Sequence, residues 1–322
     1  MLTGKGHEPA AGSGDDPAAR APRRAPWTAV PPSALVLTGI FSVQFGAGLA
    51  ARLFTQIAPA AVTGLRLWTS AAVMAVVGAR PLRNALTSLA GRRAWRDAAV
   101  VAAFGLTLAV MNFSIYQSFA RIPLGISVTV EFLGPLGLAV ASSRRLLDML
   151  WVALAGTGVA LLAHGGLSTT AGRGTVAIGV AFALLAALSW TAYILLSRAT
   201  GQRFGGSTGL TIAMVVAAVL ITPVGVAAGG TTLLRPAILV TGLGIGLLSS
   251  IIPYSLEMEA LRRIPPRVFG IWMSLEPAVA ALVGLVLLGQ SLAAREWLAI
   301  GCVMVACAGA ARGPREPQIP EA

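Results

Sequence analysis

Apolar residues occur along this chain in ten long stretches that are separated by short polar connections. The stretches cover residues 33–51, 58–79, 98–118, 124–142, 148–165, 175–196, 207–228, 237–257, 268–288 and 296–311. At 1.5 Å rise per residue, a helix needs about 20 predominantly apolar residues to cross a hydrocarbon layer of roughly 30 Å. The pattern therefore predicts an all-α, polytopic membrane protein with ten transmembrane helices.

Composition supports this prediction and narrows the chemistry. Hydrophobic residues make up 56% of the chain and charged residues only 11%, whereas soluble domains carry about 25% charged residues. The two cysteines, Cys302 and Cys307, lie in one apolar stretch and provide neither a disulfide framework nor a metal-ligand cluster. Walker A, zinc-protease and nucleophile-elbow motifs do not occur in the sequence. We therefore predict a protein that is not an enzyme and needs no metal or cofactor.

The basic residues predict how the chain is oriented. Residues 1–30 have no apolar run of the length that a signal peptide needs, and they predict a disordered cytoplasmic leader. With the leader inside, roughly eighteen of the 24 lysines and arginines fall on the cytoplasmic side. The outside holds Arg52, Arg121, Arg173, Arg235 and Arg295. This placement explains the net charge of +12 without a nucleic-acid partner. It predicts a multi-pass protein of the cell inner membrane with both termini, including the tail 313–322, in the cytoplasm.

A weak internal repeat predicts how the helices are arranged. Segment 121–135 (RIPLGISVTVEFLGP) aligns without gaps on 263–277 (RIPPRVFGIWMSLEP), at a separation of 142 residues. The first copy opens the fourth helix from outside and the second opens the ninth from inside. We therefore predict two inverted five-helix repeats, 31–172 and 173–312, with a site between them. A chance recurrence of the Arg-Ile-Pro motif at a membrane interface is the alternative.

Three ionisable residues lie near the middle of predicted helices: Arg66, Glu131 and Glu276. Each costs roughly 2.5–3.5 kcal/mol at a helix centre on insertion scales, so all three are expected to face the protein interior. Two interpretations of Glu131 remain open. It lines an aqueous cavity that binds substrate or protons, or it forms a buried structural ion pair with Arg66.

Prolines predict breaks in the helices that carry these groups. Pro135 lacks the amide that would bond the carbonyl of Glu131, four residues earlier. Two further carbonyls are freed in this way, those of Ser249 by Pro253 and of Met273 by Pro277. Interrupted helices at corresponding places of two inverted halves indicate the binding site of a transporter. Packing alone is the alternative for each helix considered separately.

Other polar side chains are further candidates for substrate binding. Asn112 and Tyr116 share a face of the third helix, and Tyr254 and Glu257 share a face of the eighth. Trp190 is accompanied by Tyr193 on the sixth helix, and Gln44 is the strong hydrogen-bonding residue of the first. Ordinary interhelical hydrogen bonding explains any one of them equally well.

The ten-helix layout and the Glu276-Pro277 step resemble the EamA group of the drug/metabolite transporter superfamily. Residues 114–145 and 246–292 are similar, more specifically, to the threonine/homoserine exporter family. The distinctive strings are P-L-G-I-x-V-x-x-E-F-x-G-P-L, S-S-R-R and P-Y-S-L-E-M. The chain departs from the family's pattern at Glu259, where an apolar residue is expected, and in its long basic leader.

The resemblance implies proton-driven efflux of small amino acids such as threonine and homoserine at the inner membrane. Its motifs touch Glu131, Gly134, Pro135, Pro253, Tyr254, Glu257, Glu276 and Pro277. The implied partners are a small-molecule substrate, protons and the lipid bilayer. Two other classes remain as alternatives: a membrane-embedded lipid-modifying enzyme, which needs an acid/base cluster and sizeable polar loops, and a passive channel or facilitator.

Overall fold

The computed structural model describes residues 30–79, 82–83, 94–141, 146–164, 172–204 and 207–312. The leader and the tail 313–322, for which cytoplasmic positions are expected, lie outside the described residues apart from Val30. From Pro32 onwards the described chain belongs to one compact unit. It is helical, and the described ranges contain no β-strand. The predicted all-α, polytopic class is confirmed.

Each predicted apolar stretch contains one helical segment of the described chain. The unbroken segments are α1 (Pro32–Leu53), α2 (Pro59–Val77), α3 (Ala94–Phe119), α5 (Leu146–His164), α6 (Arg173–Gly201), α7 (Thr208–Gly229) and α10 (Ala294–Ala310). The interrupted segments are α4 (Leu124–Glu131 and Leu133–Ala141), α8 (Pro236–Gly246, a π-turn Leu247–Ile251, and Ile252–Leu261) and α9 (Pro266–Met273 and Glu276–Leu288). Among the described residues, eight segments are long and apolar enough to cross a membrane; α5 has a shorter apolar part, 149–162, and α10 is shorter.

Helices α4 and α9 are interrupted at equivalent positions. The first piece of α4 ends at Glu131 and that of α9 at Met273, and the two pieces start and stop at the same 142-residue separation as the sequence repeat. In both helices the break lies just before a proline, Pro135 or Pro277, whose missing amide leaves one helical hydrogen bond unmade. The proline removes one hydrogen bond at each interruption, but Pro223 lies inside the unbroken α7, so a proline alone does not interrupt a helix of this bundle.

The helices pack in pairs that are related by exchanging each helix with the one five places along the chain. Helix α3 packs on α6, and the exchanged pair, α8 and α1, also pack together. Helix α3 packs on α7, and the exchanged pair, α8 and α2, also pack together. Helices α2 and α7 exchange with each other and are in contact. Helix α4 packs on α6, and the exchanged pair, α9 and α1, also pack together. The pairs α4 with α9 and α5 with α10 each exchange within themselves, and both are in contact. An apolar cluster of the described residues joins α2, α3 and α7 through side chains such as Leu67, Phe104 and Met214. The cavity described below lies beside this core.

Specific contacts tie the two ends of the bundle. We call the end where α1 and α9 finish and α4 begins the Leu124 end. There, Arg52 Nε donates to the Leu287 carbonyl at 2.8 Å, and the Leu124 amide donates to Gln290 Oε1 at 3.0 Å. We call the opposite end, where α3 begins, the Asp97 end. There, Arg203 Nε lies 3.1 Å from Asp97 Oδ1 between partly exposed side chains.

Glu259, the residue that departs from the expected apolar pattern, lies in the last turns of α8. Its carboxylate accepts a hydrogen bond from Arg263 one helical turn later and lies 3.8 Å from Arg262. The charge is therefore paired along the helix surface, and Glu259 does not line the central cavity.

Candidate functional site

A cavity of about 190 Å³ lies where α1, α2 and α3 meet α4, α6, α8 and α9. The sequence-predicted residues that line it are Gln44, Arg66, Asn112, Glu131, Trp190, Tyr193, Pro253, Tyr254, Glu257 and Glu276. The volume lies below the roughly 300–1,000 Å³ of pockets that bind drug-sized ligands. The structure therefore places one cation and three carboxylates around a space suited to a small solute.

The remaining predicted residues lie outside the lining. Tyr116 is fully buried behind it and contacts Arg66, while Pro135 and Pro277 lie in the helix backbones next to the breaks. A larger surface depression of about 380 Å³ is found at the Asp97 end, lined by Trp95, Arg96, Asp97 and Arg203. It contains none of the predicted site residues.

Arg66 is held on α8 by the carbonyl that a proline leaves free. Its Nη2 donates to the Ser249 carbonyl at 3.0 Å, and this is the carbonyl that Pro253 deprives of a helical donor. Its other nitrogens reach Ser250 Oγ and the Tyr116 hydroxyl at 3.5 Å, and the guanidinium lies 5.5 Å from the centre of the Tyr116 ring. Pro253 and the π-turn thus leave a carbonyl of α8 available, and this carbonyl positions the guanidinium of Arg66 from α2.

The ion pair of Arg66 with Glu131 that was one interpretation of the sequence does not appear in this conformation. The hydrogen bonds of Arg66 go to Ser249, Ser250 and Tyr116, and no carboxylate of the described residues lies within 4.0 Å of its guanidinium. Both side chains nevertheless line the cavity. Glu131 therefore faces the same cavity as Arg66, and the two side chains do not form an ion pair across it.

Glu276 is bound by a residue of α1. Gln44 Nε2 donates to Glu276 Oε1 at 2.8 Å, although the two residues are 232 positions apart. Glu276 lies in the first turn of the second piece of α9, where the helix dipole favours a negative charge. The break in α9 therefore creates the helix terminus at which this carboxylate lies.

The repeat-related position in α4 is Gly134, and packing explains the absence of a second acid there. A Cβ atom at Gly134 would lie 2.7 Å from the carbonyl carbon of Ala187 on α6. Any side chain at this position would therefore collide with the α6 backbone. The first half has its carboxylate at Glu131 instead, at the end of the first piece of α4.

Aromatic and amide side chains complete the lining. Trp190 meets Phe132, the residue at the break in α4, with ring centroids 4.9 Å apart and an interplanar angle of 89°. The amide nitrogen of Asn112 donates to the Leu108 carbonyl at 2.8 Å. The amide oxygen of Asn112 is then available to accept a hydrogen bond from another group. Tyr193, from the same face of α6 as Trp190, also lines the cavity.

The hydroxyl of Ser249 is not among the groups that the sequence predicts for the site. Its Oγ is buried without a hydrogen-bond partner among the described residues, and its backbone holds Arg66. The available signal was the Ser-Ser pair four residues before Pro253 in an otherwise apolar stretch. No group of three or more His, Cys, Asp or Glu side chains in the described ranges is placed to hold a metal ion.

Known proteins show similarity over nearly the whole described bundle. A profile of the EamA-like transporter family matches residues 177–312, which cover α7 to α10 and nearly all of α6. Threonine/homoserine exporter RhtA of Salmonella typhimurium (strain LT2) is 37% identical over 292 residues, covering 89% of this chain and 94% of that protein. The chain belongs to the EamA-like transporter family.

Further relatives agree with this assignment. Threonine/homoserine exporter RhtA of Escherichia coli K12 is 36% identical over 278 residues, covering 86% of this chain and 90% of that protein. A solved crystal structure with 17% sequence identity matches with a TM-score of 0.57 over 86% of this chain and 96% of that chain, which shows a shared fold. The resemblance to the EamA group is confirmed, and this EamA-like protein is a multi-pass membrane transporter.

Proposed function

We propose that this transporter exports small amino acids of the threonine and homoserine class, and that the central cavity is its substrate site. The proposal is supported by relatives named threonine/homoserine exporters that cover most of the chain. The observation that carries it is the cavity itself, which encloses Arg66 together with Glu131, Glu257 and Glu276. A small zwitterion needs both signs of charge in a confined space, and this cavity offers both.

Two inverted five-helix repeats, residues 31–172 and 173–312, would provide alternating access to this cavity. The exchange-related packing pairs and the matching breaks in α4 and α9 support this arrangement. With both termini cytoplasmic, the Leu124 end faces outside and the Asp97 end faces the cytoplasm. Reporter fusions after Arg83 and after Arg173 are expected to report opposite sides of the membrane. Reports from the same side would contradict the inverted arrangement.

Export would be driven by proton entry, with Glu131 or Glu276 as the proton-binding group. A zwitterionic amino acid carries no net charge, so exchange for one proton moves one positive charge inward. That movement is worth about 2.3 kcal/mol per 100 mV, which supports a concentration gradient of roughly fifty-fold. A membrane potential alone would therefore drive useful export.

The test is transport of labelled threonine in proteoliposomes, with the pH gradient and the membrane potential imposed independently. We expect saturable counterflow and acceleration by both gradients, and loss of coupling when the proton-binding carboxylate, Glu131 or Glu276, is replaced by glutamine. Glu259→Gln serves as the matched control, because Glu259 lies on α8 but not in the cavity. Flux without counterflow would indicate a channel, and transport indifferent to both gradients would indicate a facilitator. The absence of threonine and homoserine flux would contradict the proposed substrates.

A further inference from the structure

Two buried oxygen atoms in the cavity wall have no hydrogen-bond donor among the described residues. They are Gln44 Oε1 and Glu276 Oε2, the free ends of the two side chains that bond each other at 2.8 Å. Gln44 is 3% exposed and Glu276 is 8% exposed, and both line the cavity. A buried polar atom without a partner destabilises the folded protein, so the bound state is expected to supply donors.

A single partner that satisfies both atoms must donate at least two hydrogen bonds. Gln44 Oε1 and Glu276 Oε2 are both acceptors, and the amide of Gln44 is already engaged with Glu276 Oε1. An ammonium group has three donors and a positive charge that matches the carboxylate. A hydroxyl group has a single donor and satisfies only one of the two atoms. The chemistry of this pair therefore favours a primary ammonium group.

Arg66 presents the opposite chemistry in the same cavity. Its guanidinium has five donors, of which one makes a short contact, with the Ser249 carbonyl, and two make contacts at 3.5 Å. No carboxylate of the described residues lies within 4.0 Å of it. A guanidinium binds a carboxylate through paired hydrogen bonds, which makes an incoming carboxylate a suitable partner.

We propose that the cavity recognises the two charged ends of an α-amino acid separately. The Gln44–Glu276 pair binds the ammonium group, and Arg66 binds the carboxylate. This inference rests on the proposed function and deepens it, because it assigns each end of the substrate to named side chains on different helices. Gln44 becomes a specificity-determining residue, since its amide both orients Glu276 and contributes an acceptor of its own.

The test compares L-threonine with two analogues that each lack one charged end. The amino alcohol made by reducing its carboxylate retains the ammonium group, and 3-hydroxybutyrate retains the carboxylate. Binding to the purified full chain is measured by calorimetry. We expect the unmodified protein to bind either analogue roughly 10- to 100-fold more weakly than threonine, because each lacks one charge-assisted contact.

The variants then identify which end each residue binds. In Arg66→Gln, threonine affinity is expected to fall to that of the amino alcohol, while amino-alcohol affinity stays unchanged. In Gln44→Leu and Glu276→Gln, threonine affinity is expected to fall toward that of 3-hydroxybutyrate, whose own affinity stays unchanged. An unchanged analogue affinity also reports that the variant is folded. If Gln44→Leu binds none of the three ligands, the same affinities are measured with Gln44→Met, whose side chain is closer in shape to glutamine.

Ser114→Ala is the matched control. Ser114 Oγ is also buried without a partner among the described residues, but Ser114 does not line the cavity, so all three affinities are expected to stay the same. Equal weakening of threonine and the amino alcohol in Arg66→Gln overturns the assignment. So does a Glu276→Gln protein that loses proton coupling but keeps its discrimination between threonine and 3-hydroxybutyrate, since Glu276 would then bind only a proton. Homoserine binding to the unmodified protein is measured in the same way. If the unmodified protein binds neither threonine nor homoserine, the proposed function has failed as well.

Discussion

The first pieces of α4 and α9 are equivalent in the sequence repeat but packed very differently. In Leu124–Glu131 every residue before Glu131 is buried, whereas Pro266–Met273 contains no buried residue. The first piece of α4 packs closely against the second piece of α9. In the equivalent contact, the first piece of α9 scarcely touches the second piece of α4. The Leu124 end is therefore closed, while the Asp97 end is loosely packed around α9.

Side-chain size explains how the closed end packs so tightly. Gly125 lies so close to α9 that a Cβ atom there would be 2.7 Å from the Cα of Ala281. The repeat-related residue in α9 is Arg267, whose long side chain prevents an equally close approach. In an alternating-access cycle, this difference corresponds to a conformation closed at the Leu124 end.

Gly125→Ala is expected to destabilise the closed end most. The added methyl group collides with backbone atoms of Ala281, and overpacking of this kind costs about 1–3 kcal/mol. The measurement is thermal unfolding of the purified protein in detergent. Gly137→Ala on the second piece of α4 is the control, because a Cβ there meets nothing within 4 Å and alanine favours a helix. Equal stability of the two variants would contradict the close packing of α4 on α9.

Single cysteines at the equivalent positions Ile126 and Val268 are expected to differ in reactivity. Ile126 is fully buried and Val268 is 39% exposed. With Cys302 and Cys307 replaced by alanine, a maleimide in detergent should modify Val268→Cys at least about tenfold faster, since the buried site must open first. Equal rates would show that the two ends have the same accessibility. A bound substrate that reverses the order of the rates would show the cycle in operation.

Gln290→Ala is expected to have a moderate effect that is confined to the closed end. The variant removes the acceptor for the Leu124 amide and leaves the start of α4 without this partner, which costs about 0.5–2 kcal/mol. Modification of Ile126→Cys should then become faster, while modification of Val268→Cys stays the same. Gln202→Ala, at the C-terminal end of α6, is the control. A change of similar size at both cysteines would indicate general destabilisation instead.

Asp97→Asn is expected to change stability least. Its ion pair with Arg203 joins side chains that are 42% and 36% exposed, and exposed pairs contribute at most about 1 kcal/mol. The midpoint of thermal unfolding should shift only slightly at low salt and not at all at high salt, since salt screens exposed charges. A large, salt-independent loss would mean that the Asp97 end is held closed by this pair.

The number of apolar segments and the prolines beside the interruptions of α4 and α9 can be read directly from the amino-acid sequence. Lipid provides no hydrogen bonds to the backbone, so an uninterrupted apolar segment of about 20 residues crosses it as a helix, and the length of such a segment can be counted directly. A proline removes one amide regardless of the surroundings, so the freed carbonyl of Ser249 could also be named in advance. These properties are local, and they were readable without a structure.

Which side chains contact one another depends on the three-dimensional packing of the helices. Arg66 contacts the Ser249 carbonyl and not Glu131, and Glu276 receives its hydrogen bond from Gln44, which is 232 positions away. Partners this far apart along the chain depend on how helices approach one another within a few ångströms. That approach depends on small residues such as Gly125 and Gly134, whose role appears only when the opposing backbone of Ala281 or Ala187 is in place. The difference between the two halves arises for the same reason, because similar sequence segments pack against different neighbours.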